Sequence, residues 1–200
     1  MSAQGTAMAA TDALTTERAR LFALLGRLLV AAPDARLLDA LAALRADRTP
    51  LGEAYGALAR AAAAADSVSA EREFHDLFIG LGRGELMPFG SYYLTGFLHE
   101  RPLAELRGDL ARLGLEKAEG VAEPEDHIGS ECEVYAGLLS GSFDGGAGEA
   151  EAFFAKHLRP WAGRFFADLE QAQAARFYRA VGQLGRVAVD IEQAAQELPQ

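Results

Sequence analysis

Apolar residues recur at intervals of three and four along most of this chain, and the stripes they form are broken by proline, glycine and aspartate. From Thr15 or Thr16 onward, Leu21, Phe22, Leu25, Leu28 and Leu29 make one helical stripe, which Pro33 ends. Asp34 to Ala46 repeats the pattern with Leu37, Leu38, Leu41 and Leu44. Pro50 opens a third helix with Leu51, Tyr55 and Leu58, running into an alanine block suited to close packing. Asp66 or Ser67 is the expected N-cap of the next segment, where the spacing puts Phe74, Leu77, Phe78 and Leu81 on one face. Gly80 to Gly90 then interrupts the pattern with four glycines and Pro88, a loop that nevertheless carries Leu86, Met87 and Phe89.

Ser91 is expected to cap a short aromatic helix from Tyr92 to Leu98, and Pro102 to start another with Leu103, Leu106, Leu110 and Leu113. The acidic stretch Glu123-Pro124-Glu125-Asp126-His127 predicts a helix start, with Pro124 in the first turn and the helix running to about Leu139. Its carboxylates would face the positive end of the helix dipole. Beyond a glycine-rich loop at Ser140–Gly148, one stripe (Phe153, Phe154, His157, Leu158) ends at Pro160. Two more follow, from Trp161 to Leu169 and from Phe177 to Ile191. The expectation is an all-α fold: a tail over 1–13, then one compact helical domain over 14–198, with nine or ten helices around one core.

Composition narrows the function classes. Half of the 200 residues are hydrophobic, and mean hydropathy is +0.01, as in a soluble globule. A net charge of −10 disfavours nucleic acid or an anionic membrane as partner, and no Lys/Arg-rich helix–turn–helix suggests a DNA-reading regulator. A single cysteine, Cys132, allows no internal disulfide and no multi-cysteine metal cage, and its neighbours Glu131 and Glu133 suppress thiolate. The first residues lack a basic n-region, and the longest apolar stretch, Leu21 to Ala32, contains Arg27 and is too short to span a bilayer. The expected location is the cytoplasm.

Two readings of Glu123–His127 stay open on these residues alone: an acidic cap beside a solvated histidine, or a binding site. An imidazole beside carboxylates tends toward a raised pKa. As an enzyme, the chain would be a metal-dependent hydrolase using Glu123, Asp126, His127 and Glu131, although it has no HExxH and no second histidine nearby in sequence. The run Gly80-x-Gly82-x-Gly84 lacks the Gly-Lys-Ser/Thr ending of a phosphate loop and reads as a hinge.

Taken together, Phe74-x-x-Leu77-Phe78, Pro88-x-x-Ser91-x-Tyr93, Glu123-Pro124-x-Asp126-His127 and Phe154-x-x-His157-Leu158-x-Pro160-Trp161-x-x-x-Phe165 resemble the TorD/DmsD family of redox enzyme maturation chaperones. The resemblance runs from about Thr15 to Ile191. It implies an all-α binding protein rather than an enzyme, with no cofactor of its own beyond weak guanine-nucleotide binding. It also implies a molybdoenzyme client of the formate dehydrogenase or DMSO/TMAO reductase type, held in its apo form for insertion of bis-molybdopterin guanine dinucleotide, and a twin-arginine leader as ligand. The counterparts of Leu77, Phe78, Pro88, Phe89, Asp126 and His127 belong to that family's proposed leader-binding region, and Ser91, Tyr93 and Pro124 share its motifs. A leader with two guanidiniums followed by an apolar stretch needs carboxylates beside a hydrophobic groove. Glu123, Glu125 and Asp126 are the candidate carboxylates, and Leu77, Phe78, Leu86, Met87 and Phe89 the candidate groove. Such a fold would exist as a monomer or as a dimer swapped at a glycine loop.

Overall fold

Several helices begin where the sequence supplies a cap. Thr49 Oγ1 accepts the Gly52 N–H at 3.0 Å ahead of Pro50, and Asp34 and Asp66 accept those of Leu37 and Ser69 at 2.8 Å. Asp66 and Ser69 complete a reciprocal capping box. The structure, a computed structural model, describes residues 3–117, 123–143 and 146–197. Among these residues there are ten α-helices: α1 (Ala3–Val30), α2 (Ala35–Ala42), α3 (Pro50–Ala63), α4 (Ser67–Phe74), α5 (Gly90–Thr95), α6 (Arg101–Arg112), α7 (Ile128–Ser140), α8 (Gly146–Phe153), α9 (Ala162–Gln171) and α10 (Phe177–Glu197). α4 and α8 continue into π-helical turns at His75–Ile79 and Phe154–Leu158. The described residues form no strand, only a bridge between Phe89 and His127. The all-α class expected from the periodicity is the one observed.

The long helices make the frame. α1 packs along α7, α10 packs on α9 and α3, and α2 lies on α3. Between them Phe22, Leu25 and Leu28 of α1 meet Tyr135 of α7, Phe154, Phe165 and Phe166, with Tyr178 and Val181 of α10 closing the core. Phe22 meets Tyr135 edge-on at 4.7 Å between ring centres. Where α9 crosses α10 the helices nearly touch. A Cβ on Gly182 would lie 2.7 Å from the Glu170 nitrogen, and one on Gly185 2.2 Å from the Phe166 ring.

One polar cluster sits inside this frame. Glu192, 2% exposed, accepts from Arg18 Nε at 2.8 Å and from the Tyr135 hydroxyl at 2.6 Å, while Arg18 Nη2 donates to the same hydroxyl at 2.9 Å. The three side chains come from α10, α1 and α7, so the network locks three helices at one point. Burial first, and then the Glu192 charge, push the Tyr135 phenol far above its ordinary range.

Four local expectations differ from what is observed. The first helix reaches back to Ala3, where a tail over 1–13 was expected; that segment is alanine-rich, and alanine is the best helix former. Leu81 leaves the face of Phe74, Leu77 and Phe78 and is fully exposed, because the helix ends at Gly80 in a left-handed conformation (φ +61°). The helix expected to begin at Glu123 begins at Ile128, leaving Pro124 in a preceding turn. Ser91 is not a cap: α5 starts at Gly90 and stops at Thr95, before Gly96 with φ +85°.

Glu192→Ala should lower the unfolding free energy by roughly 3 kcal/mol, the usual cost of stripping one partner from a buried ion pair. Urea denaturation measures it, and a loss below about 1 kcal/mol would show that Arg18 finds water instead.

Candidate functional site

Two loops far apart in sequence meet at the Phe89–His127 bridge. Gly90 N–H donates to the Asp126 carbonyl at 2.8 Å, and Ile128 N–H donates to the Pro88 carbonyl at 2.9 Å. This pair of bonds fixes the starts of α5 and α7 side by side. The Asp126 carboxylate then takes over the capping role expected of Ser91: its Oδ2 accepts the Ser91 N–H at 2.7 Å. His127 caps α7 in the same manner, its ring Nδ1 accepting the Gly129 N–H at 3.1 Å, and its ring meets Phe89 at 5.3 Å. The residues around this bridge include Glu131, which accepts from Trp161 Nε1 at 3.2 Å. Gly90 lies against both; a Cβ there would come within 3.1 Å of Trp161 and 3.3 Å of Glu131.

Burial decides the charges here. His127 is 7% exposed, and desolvation depresses its pKa to about 4, against the smaller upward pull of Glu123 and Asp126. This corrects the expectation of a raised value, since the carboxylates are outweighed by the loss of water. The Glu131 carboxyl is driven well above its ordinary range, by burial first and by Asp126 next. Two buried atoms at the bridge, Ser91 Oγ and Asp126 Oδ1, have no hydrogen-bond partner among the described residues. Buried polar atoms are nearly always paired, so this is where the fold tolerates a deficit.

The expected apolar groove is largely interior. Leu77 is fully buried and Pro88 buried, and Phe78 packs on Phe74, Phe165 and Tyr178. Leu86 lies against the core, tied to the Leu77 carbonyl at 2.8 Å. Tyr93 is buried, its hydroxyl donating to Asp168 at 2.9 Å, with the Arg164 guanidinium over its ring. Met87 and Phe89 remain half-exposed. Nor do the acids point together: Asp126 faces inward, whereas Glu123 and Glu125 line a different groove.

That groove, about 340 Å³, runs between the end of α1, the end of α6 and α7. Its apolar lining is Val30, Leu110, Leu115, Val134 and Phe143. Four carboxylates and one ammonium stand around it: Glu116, Glu123, Glu125 and Glu133, with Lys117. Arg107 holds Glu125 through two hydrogen bonds at 3.0 and 2.8 Å and keeps that carboxyl below its ordinary range. Partial desolvation raises the Glu133 carboxyl, with Arg27 opposing. Among the described residues, Glu116 and Glu123 form no ion pair. Sequence reading found Glu123 and Glu125 but missed the apolar lining, because it comes from three elements that only tertiary packing brings together.

The hydrolase arrangement does not assemble. No group of three or more His, Cys, Asp or Glu among the described residues is placed to hold a metal ion. Glu131 is turned to Trp161, His127 spends its Nδ1 on the Gly129 N–H, and Glu123 is exposed. Cys132 is fully buried; burial, then Glu131 and Glu133, raise its thiol well above the usual range.

Known proteins share this architecture. Residues 44–167 match the family model described as nitrate reductase delta subunit. The chaperone TorD of Vibrio cholerae is 26% identical over 121 residues, covering 56% of this chain and 55% of that one. The Tat proofreading chaperone DmsD of Salmonella paratyphi A is 33% identical over 125 residues, 62% of this chain and 60% of that one. The chaperone YcdY of Escherichia coli is 27% identical over 132 residues, covering 66% and 67%. The matched stretch thus spans little more than half the length of the first two relatives. A crystal structure of a candidate redox enzyme maturation protein from Archaeoglobus fulgidus superposes with a TM-score of 0.59 at 22% identity, over 86% of this chain and 93% of that one. No helix among the described residues is long and apolar enough to cross a membrane.

The depressed His127 pKa has a sign that can be measured. Its folded value lies below the unfolded one, so its contribution is complete above about pH 6.5 and is lost as pH falls toward about 4. His127→Asn keeps a capping side chain and should flatten the fall of unfolding free energy between those pH values by about 3 kcal/mol. A wild-type-minus-variant difference that does not change with pH would exclude a buried neutral imidazole. Asp126→Ala should destabilise by about 1–3 kcal/mol by orphaning the Ser91 N–H, and a thermal melt on the folded variant will show it.

Proposed function

We propose, from the premise that the chain belongs to the nitrate reductase delta subunit family, that it is a maturation chaperone for a molybdenum-containing oxidoreductase and holds the client's twin-arginine leader before export. The relatives named above are chaperones, one of them a Tat proofreading chaperone. The observation that carries the reading is the groove between α1, α6 and α7, with an apolar floor and carboxylates at its rim. A leader offers two guanidiniums beside an apolar run, and the groove offers the complement of both.

The chemistry is that of binding. Guanidinium groups form forked hydrogen bonds with carboxylates, and a partly desolvated rim strengthens them over a fully exposed pair. Glu123 and Glu133 are both exposed and form no ion pair with a described residue, so these two are the primary arginine acceptors. Glu125 is already held by Arg107, and a leader arginine would compete for it. The apolar part of the leader would lie on Val30, Leu110, Leu115 and Val134. Asp126 and His127 act from beneath: they set the bridge that places Glu123 and Glu125 at the rim. The client, its cofactor loading and the cytoplasmic setting enter with the same proposal.

Isothermal titration with twin-arginine leader peptides of the host's molybdoenzymes tests it. One leader should bind, its Lys-Lys version more weakly. The double variant Glu123→Gln/Glu133→Gln should lose about 1.5–3 kcal/mol, the worth of hydrogen bonds to a charged group. Unchanged affinity in that folded variant would move the leader site elsewhere. Absence of binding to every leader would reject leader recognition.

A further inference from the structure

A second groove, of about 750 Å³, lies on another face, between the end of α3, α4 and the start of α10. Its small-residue floor includes Ala61, Ala64 and Ala65, and three exposed arginines line it: Arg72, Arg176 and Arg179. None of the three forms an ion pair with a described residue. Arg176 Nη1 donates to the Gln173 and Ala175 carbonyls at 3.1 and 3.2 Å, which steadies that guanidinium without neutralising it.

The acids in the wall are otherwise engaged. The Glu73 carboxylate accepts the N–H groups of Arg176, Phe177 and Tyr178 at 2.7, 3.1 and 2.7 Å, capping the start of α10. Asp76 lies 3.6 Å from the His75 ring nitrogen, and the Asp66 carboxylate, itself the cap of α4, feels the charge of Arg72. In a chain of net charge −10, a groove lined by three guanidiniums and two carboxylates, both with local partners, runs against the average field.

We propose that this groove docks an acidic helical segment of a partner protein. The alanine floor lets a helix backbone approach closely, and forked guanidiniums can take carboxylates along its edge. The net negative charge of the whole chain repels a polyanionic surface such as a membrane or nucleic acid, whereas a short segment with a few carboxylates feels mainly the local arginines. This site is separate from the acidic groove and does not depend on the leader reading.

The probe is a synthetic 20-residue helical peptide with alanines on one face and glutamates along its edge, labelled for fluorescence anisotropy; a glutamine version is the control. The full chain should bind the glutamate peptide, with affinity falling as salt rises, and the glutamine peptide at least about tenfold more weakly. Arg72→Glu/Arg179→Glu, which spares the anchored Arg176, should lose at least about tenfold with an unchanged circular dichroism spectrum. Arg20→Glu/Arg48→Glu, away from the groove, should bind as wild type. Equal binding to the groove variant, equal binding of the glutamine peptide, or no saturable binding overturns the proposal. So does arginine-dependent self-association in sedimentation, or binding of anionic phospholipid vesicles in place of the peptide.

Discussion

The antiparallel bridge between Phe89 and His127 is the constraint on which the functional face depends. Two backbone hydrogen bonds, from Gly90 to Asp126 and from Ile128 to Pro88, join loops separated by more than thirty residues. They orient α5 and α7 at their first turns. Asp126 and His127 then serve as caps for those helices, so residues rich in chemical potential are committed to architecture. The glycine loop before α5 is held as well: Glu85 accepts the Gln173 and Ala174 N–H groups at 2.6 and 2.9 Å, which couples it to the turn before α10.

From this follows a division between inner and outer charge. Asp126, His127 and Glu131 are buried, and desolvation keeps His127 neutral and favours the protonated form of Glu131. The carboxylates available for recognition are displaced outward, to the rim of a groove built by α1, α6 and α7. Carboxylates at a half-exposed rim can exchange water for a ligand's guanidiniums at low cost, whereas a buried aspartate already bound to a backbone N–H cannot. The arginines beside α4 form a patch of the opposite charge, and the two patches are supported by different helices.

The helical frame was legible because it rests on local rules. Thr49-Pro50, Asp34 and Asp66 start helices where side-chain acceptors meet free N–H groups, and the stripes of α1 and α10 give the buried faces directly. Legibility failed where a longer-range contact competed. Pro124 with three acids resembles a helix start by every local criterion, yet the bridge holds His127 in extended backbone and α7 waits until Ile128. Leu81 continues the periodicity of Phe74, Leu77 and Phe78 on paper, but the helix has ended at Gly80.

The sequence alone therefore determined the all-α class, several of the helix starts, most of the core and the segments from which a binding face is made, since each depends on residues within a few positions of one another. Tertiary structure alone decided which of those residues face water. It buried Leu77, Asp126 and His127, left Glu123 and Glu125 at a rim, and set them beside Val30, Leu110 and Val134. Exposure is a property of what packs against a side chain, and those neighbours come from parts of the chain that local spacing does not connect.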